Sequence, residues 1–134
     1  MVLNQSIFKA NDIRGRYPEE INEKTAAAIG QALAKHWGKG LPAARRVVVA
    51  HDARISSPAL YAAITIQLKT YNLEPITVGL ATTPMFYFLV NKLQAVGGVM
   101  ITASHNPKDY NGLKIVGPKA EVMSGKEVEA LFQK

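Results

Sequence analysis

Apolar positions along this chain follow two different periods, and the alternation between them outlines a fold. Within EKTAAAIGQALAKHW, Ala26, Ile29, Leu33 and Trp37 recur at three- and four-residue steps. That spacing predicts a helix over residues 23–37, capped by Asn22 and stopped by Gly38 and Gly40. The β-branched run VVVA, 47–50, reads instead as a buried strand. Pro58 just inside the next apolar stretch predicts a second helix running to about Tyr71, with Ser56 or Ser57 as its cap. EPITVGL gives a second buried strand at 76–80, and TTPMFYFLVNKL a third helix opened by Thr82 or Thr83 and Pro84. GGVMITA, 97–103, predicts a third buried strand, and LKIV, 113–116, a short fourth. A last helix begins after Ser124. The opening SIFKANDIRGRYPEE reads as a short apolar strand followed by an exposed, charged loop.

Strands alternating with helices imply an α/β fold, a three-layer α/β/α arrangement around a mixed, mostly parallel sheet. The sheet is expected to be mixed because Asn111-Gly112 favours a tight turn that returns strand 113–116 beside the one ending near residue 102. At 134 residues the chain amounts to one domain. An apolar fraction of 48% against 19% charged residues places it among folded chains. No apolar run approaches the eighteen residues of a membrane span, and the N-terminal residues lack a signal-peptide core, so cytoplasm is the expected location. With no cysteine, disulfides, thiolate zinc sites and cysteine nucleophiles are excluded. The net charge of +6 comes from scattered basic residues. Scattering fits a solvated surface biased toward anionic small molecules better than a nucleic-acid groove, which would interleave aromatics with cations.

In an open α/β sheet, ligands collect at the carboxyl ends of the strands. Three polar loops leave such ends here, HDARISS, ATTP and SHNPKDYNG, and NDIRGR is expected to join their rim. Ser104 follows a buried strand directly, so it is a candidate nucleophile or phosphate carrier, with His105 as a neighbouring proton-transfer group. The competing explanation is a strand-ending turn in which Ser104 and Asn106 only satisfy backbone groups. Arg14, beside Gly15, can clamp a phosphate bidentately, or can simply pair with Asp12 at the surface. Lys114 can meet the same anion. Asp52 and Arg54 read as a structural pair that fixes their loop, and His51 as a hydrogen-bonded bystander. No set of Asp, Glu or His has metal-ligand spacing, and neither a P-loop nor a G-x-S-x-G elbow is present.

The segment GGVMITASHNPKDYNGLK, 97–114, resembles the active-serine segment of the phosphohexomutases, the family of phosphomannomutase and phosphoglucomutase. FKANDIRG at 8–15, HDARISSP at 51–58 and GLATTPMFYF at 79–88 resemble further family segments. Two positions depart from the pattern, Asn11 where tyrosine is usual and Ala53 where glycine is common. The resemblance implies a phosphoserine at Ser104 that donates its phosphoryl group to a sugar monophosphate and recovers another from the resulting bisphosphate. By position, Ser104 becomes the carrier, His105 a supporting acid or base, and Arg14 and Lys114 the cations that bind and stabilise the transferring group. It also implies a Mg2+ ion bound through the Ser104 phosphate, with its remaining ligands on a second domain. Residues 1–134 would then be the first of about four domains, inactive alone, with hexose phosphates and the remaining domains as partners, and neither nucleic acid nor membrane. The alternatives are a non-catalytic phosphosugar-binding module and, from the charge alone, a nucleic-acid-binding domain.

Overall fold

The computed structural model describes residues 3–38 and 45–133. Six strands form one sheet, β1 (Ile13–Arg16), β2 (Arg45–His51), β3 (Leu73–Leu80), β4 (Gly97–Ile101), β5 (Tyr110–Val116) and β6 (Val122–Met123). Their order is β1-β5-β4-β2-β3, with β6 also on β5. β2 pairs in parallel with both β3 and β4, whereas β5 runs antiparallel to β4, β1 and β6. Five of the six strands therefore point one way, and β5 alone is reversed. The sheet is mixed and mostly parallel.

Strand residues alternate between the two faces, and each face carries its own core. Val47 and Val49 of β2, Val99 and Ile101 of β4, and Leu113 and Ile115 of β5 pack with α1 (Glu23–Gly38) and α2 (Ser57–Leu68). Val48, Ala50, Met100 and Val116 point the other way, onto α3 (Thr83–Lys92) through Phe86 and Val90. This gives the three layers. Helix α1 buries the predicted stripe of Ala26, Ile29, Leu33 and Trp37. It starts where Asn22 Oδ1 accepts the Thr25 amide at 3.0 Å. Gly38 is still helical, and Gly40 lies outside the described residues. Thr82 caps α3 by accepting the Met85 amide, and Ser124 closes a capping box with Glu127 on α4 (Gly125–Ala130).

Several expectations are corrected. Residues 5–7 form a 3-10 turn rather than a strand, and the strand lies instead at Ile13–Arg16, inside the expected loop. Cross-strand pairing to β5 overrides the charged composition there. β3 is not buried: it begins at Leu73, lies at the sheet edge and is largely half-exposed, which is where Pro75 can sit without breaking a central ladder. β4 ends at Ile101 and α2 at Leu68, both earlier than predicted. Ser56 occupies the N-cap position of α2, yet its hydroxyl does not cap the helix. Asn111 and Gly112 are not a turn. They lie within β5, which starts at Tyr110, and the reversal from β4 is made by residues 102–109. Gly112 sits opposite Arg14, and a Cβ there would come within 2.1 Å of the Ile13 carbonyl oxygen. The glycine is therefore explained by close strand approach.

Candidate functional site

The loops after β2 (52–56) and β4 (102–109) leave the same edge of the sheet side by side, because β2 and β4 are parallel neighbours. Ser104 is exposed just beyond the buried end of β4, with φ of +56°. For a residue with a Cβ this left-handed conformation is uncommon and must be held by its surroundings. Its amide donates to Thr102 Oγ1 at 3.0 Å, its carbonyl accepts from Arg54 Nη2 at 3.0 Å, and the Asn106 amide closes a turn onto the Ala103 carbonyl at 3.1 Å. His105 stands next to it, also exposed.

Arg14 and Lys114 meet below this loop. Both lie on the α3 face of the sheet, Arg14 opposite Gly112 on β1 and Lys114 opposite Met100 on β5. They share one carboxylate: Asp12, only 4% exposed, is ion-paired to Arg14 Nη2 and lies 4.0 Å from Lys114 Nζ. Two cations on one carboxylate leave a unit of positive charge uncompensated. Arg14 Nη1 also donates to Asn106 Oδ1 at 2.5 Å, tying this pair to the serine loop, while its buried Nε has no hydrogen-bond partner among the described residues. A cavity of about 430 Å3 opens here, lined by Lys9, Asn11, Asp12, Arg14, Asn106 and Tyr110 among others. The Tyr87 phenol, on α3, is pushed up by burial first and then by the charge of Asp12.

The sequence reading placed Arg14 on an exposed rim loop and Lys114 after a turn. Both are mid-strand, and the cation pair is built by sheet pairing. Arg54 was read as half of a structural pair with Asp52. The pair exists, with Nε 3.5 Å from Asp52 Oδ2, but Arg54 also reaches across to the serine loop. Its Nη1 donates to the carbonyls of Pro107 (2.7 Å) and Tyr110 (3.0 Å), and its Nη2 to those of Ser104 (3.0 Å) and Asn106 (2.8 Å). Asp52 accepts from Ser57 Oγ at 2.5 Å, and buried Asn111 donates to the hydroxyls of Ser56 (2.7 Å) and Ser57 (3.0 Å). These contacts engage the hydroxyls expected to cap α2. His51 is hydrogen-bonded to the Asp52 carbonyl at 2.7 Å and packs edge-on against Tyr61, away from the cation pair.

Among the described residues, no group of three His, Asp or Glu side chains gathers into a metal site, and no helix is long and apolar enough to cross a membrane. Asp12, Asp52 and Asp109 each face an arginine.

Fold and loops together define an α/β/α domain with its polar loops gathered at one sheet edge and, beside them, a half-buried cation pair on one buried carboxylate. Within that class the chain belongs to the phosphoglucomutase/phosphomannomutase family: residues 5–134 match the family model described as phosphoglucomutase/phosphomannomutase, alpha/beta/alpha domain I. It is 49% identical over 117 residues to the phosphohexose mutases of Xanthomonas campestris, covering 87% of this chain and 25% of that protein. To the phosphomannomutase/phosphoglucomutase of Pseudomonas aeruginosa it is 37% identical over 133 residues, covering 98% of this chain and 28% of that one. A solved phosphoglucomutase/phosphomannomutase family protein from Burkholderia thailandensis superposes with a TM-score of 0.85 at 32% identity, over 98% of this chain and 30% of its own. The chain thus spans about a quarter of the length of these curated relatives.

Proposed function

We propose that this chain is the phosphoserine-bearing domain of a phosphomannomutase/phosphoglucomutase that interconverts hexose 1-phosphate and hexose 6-phosphate. The observation that carries the reading is the cation pair Arg14–Lys114, which shares a single buried carboxylate and is tied through Asn106 to the loop presenting Ser104. A phosphoryl group in transfer spreads negative charge over its equatorial oxygens, and catalysis consists of placing it in line and facing those oxygens with fixed cations. Asp12 orients both cations without cancelling them, so the surplus charge is available to a phosphate in the adjoining cavity.

In the forward half-reaction, a hydroxyl of the bound sugar monophosphate attacks the phosphorus on Ser104. The bond from phosphorus to Ser104 Oγ breaks, a new bond to the sugar oxygen forms, and the hydroxyl proton ends on Ser104 Oγ, with His105 as the proposed relay. The sugar bisphosphate then reorients. Its other phosphate returns to Ser104, and the same compound primes an unphosphorylated chain. A Mg2+ ion would be held by an oxygen of the Ser104 phosphate and, with the chain's aspartates engaged by arginines, by ligands from elsewhere in the polypeptide. When bound it supplies further charge neutralisation at the phosphoryl oxygens. Turnover by residues 1–134 alone is expected to be negligible, since no metal site gathers among the described residues and the chain spans a quarter of the relatives' length. The proposed partners are accordingly hexose phosphates and the remaining domains of the polypeptide.

The test is mutase activity of the longest natural chain containing these residues, with mannose 1-phosphate and glucose 1-phosphate, Mg2+ and a priming sugar bisphosphate, beside Ser104→Ala. Loss of activity and of covalent phosphate in Ser104→Ala is expected. Undiminished activity would remove Ser104 as carrier. Phosphosugar binding without turnover in either protein would make the domain a binding module.

A further inference from the structure

We infer that Arg54 is a positioning residue for the phosphoryl-carrying serine, an inference that rests on the mutase reading above. All four of its terminal N–H groups are used by carbonyls of the serine loop and of the first residue of β5, those of Ser104, Asn106, Pro107 and Tyr110. The remaining N–H, on Nε, faces Asp52. Arg54 therefore keeps no donor for a substrate phosphate, unlike Arg14 with its unpartnered Nε. Its work is on the loop.

Four carbonyl dipoles converging on one region repel each other unless a cation stands between them. Only a planar fork with paired donors can meet four acceptors from two nitrogens, whereas the three donors of an ammonium cannot. The Arg54 side chain is 15% exposed, which strengthens these charge-assisted bonds relative to open water. The loop it grips contains the one strained residue the reaction needs: Ser104, at φ +56°, gives its carbonyl to Arg54 and its amide to Thr102. Arg54 is itself anchored from behind. Asp52 holds its backbone amide at 3.1 Å and the Ser57 hydroxyl at 2.5 Å, and Asn111 fastens Ser56 and Ser57 to β5. The serine hydroxyl is thus located by a chain of contacts running from the core of β5, through the loop after β2, to the loop after β4.

The experiment uses the longest natural chain, with two readouts. In Arg54→Ala, amide exchange at Ser104, Asn106 and Tyr110 is expected to accelerate about tenfold or more while the amides of β4 keep their protection. In the same variant kcat is expected to fall about 100-fold with KM within about threefold of wild type, because a displaced carrier spoils alignment rather than substrate binding. Millimolar guanidinium should restore part of kcat, and equal concentrations of urea or sodium chloride should not. Arg54→Lys, which keeps the charge but not the fork, should recover little, and it carries the same readouts if Arg54→Ala does not fold. Wild-type kcat with unchanged exchange would overturn the inference, as would a rise in KM alone, which would make Arg54 a substrate contact. If the wild type neither turns over nor carries phosphate on Ser104, the mutase reading fails. The exchange measurement still decides whether Arg54 orders the loop.

Discussion

Replacing Gly112 with alanine tests how β1, and with it Arg14, is held against the rest of the sheet. The added Cβ would stand 2.1 Å from the Ile13 carbonyl oxygen and 3.1 Å from Arg14 Cα. Both are backbone atoms of β1, so no side chain can swing aside, and the strand must retreat by about 1 Å before the carbon–oxygen contact becomes tolerable. A ladder bond of ordinary length stretched by that amount reaches about 3.9 Å and is no longer a hydrogen bond. About two such bonds at about 1 kcal/mol each, added to the lower end of the usual overpacking penalty, predict a loss of about 3 kcal/mol. That is a large share of a total that is typically about 5–15 kcal/mol for a domain. Urea unfolding followed through Trp37 fluorescence should show a lower midpoint with an unchanged slope. A loss below about 1 kcal/mol would refute the claim that close approach of β1 requires this glycine. In the mutase proposed above, the same retreat moves Arg14 away from Asn106 and should lower kcat by about 100-fold.

Three further outcomes are expected. Asp12→Asn leaves Arg14 and Lys114 facing each other without their carboxylate; since these side chains are 28% and 20% exposed, the expected loss is about 1–2 kcal/mol rather than that of a fully buried pair. Thermal melts should show the deficit shrinking as salt rises. Phe86→Ala hollows the smaller core beneath α3, where the ring is fully buried, and should cost about 3–5 kcal/mol in chemical denaturation. A much smaller loss would mean that this face is not packed as described. The Tyr17 phenol is pushed above its ordinary value of 10.0, chiefly because it donates to Glu23 Oε1 at 2.7 Å, with burial and the Glu23 charge adding to the effect. The fold favours the protonated phenol, so this contribution is complete below pH 10.0 and fades as pH rises through the raised folded-state value. Tyr17→Phe should flatten the stability profile above that pH, and identical slopes for the two proteins would show that the phenol is not linked to folding.

Helix α1 and the central strands were legible because each advertises itself locally. A stripe at 26, 29, 33 and 37 has one apolar face to bury, and the apolar runs of β2 and β4 are buried on both faces. Strand β1 was not legible. Its four residues IRGR carry a single large apolar side chain, and the partner that makes them a strand begins at Tyr110. Asn111-Gly112 misled for a related reason. The dipeptide signals a turn through backbone preference, but here the glycine gives room to a neighbouring strand and the asparagine is a buried donor to two serines. Pro75 did contain a readable warning that β3 is an edge strand. The candidates Ser104, Arg14 and Lys114 were singled out by type and by loop position, yet Asp12 was offered only as a surface partner of Arg14 and not as the buried carboxylate joining the two cations. Arg54 left no trace of its reach. Its partners are backbone carbonyls about fifty residues away, and every residue has a carbonyl, so residue types alone cannot reveal the grip.

The reversal of one strand accounts for much of the site. Had β4 been followed by another parallel strand, a crossover of a dozen or more residues would have carried the chain away from the carboxyl edge and back along a face. With β5 antiparallel, the chain must turn within residues 102–109, and that short return holds Ser104 at the edge where the loop after β2 also ends. The same reversal leaves the far side of β5 open to β1, which brings Arg14 into register with Gly112, two positions from Lys114. A tight loop and a cation pair one strand away are therefore consequences of a single topological choice. Substitutions that loosen β1 from β5 should accordingly affect the charge beneath Ser104 before they affect the loop that presents it, whereas changes at Arg54 should do the opposite.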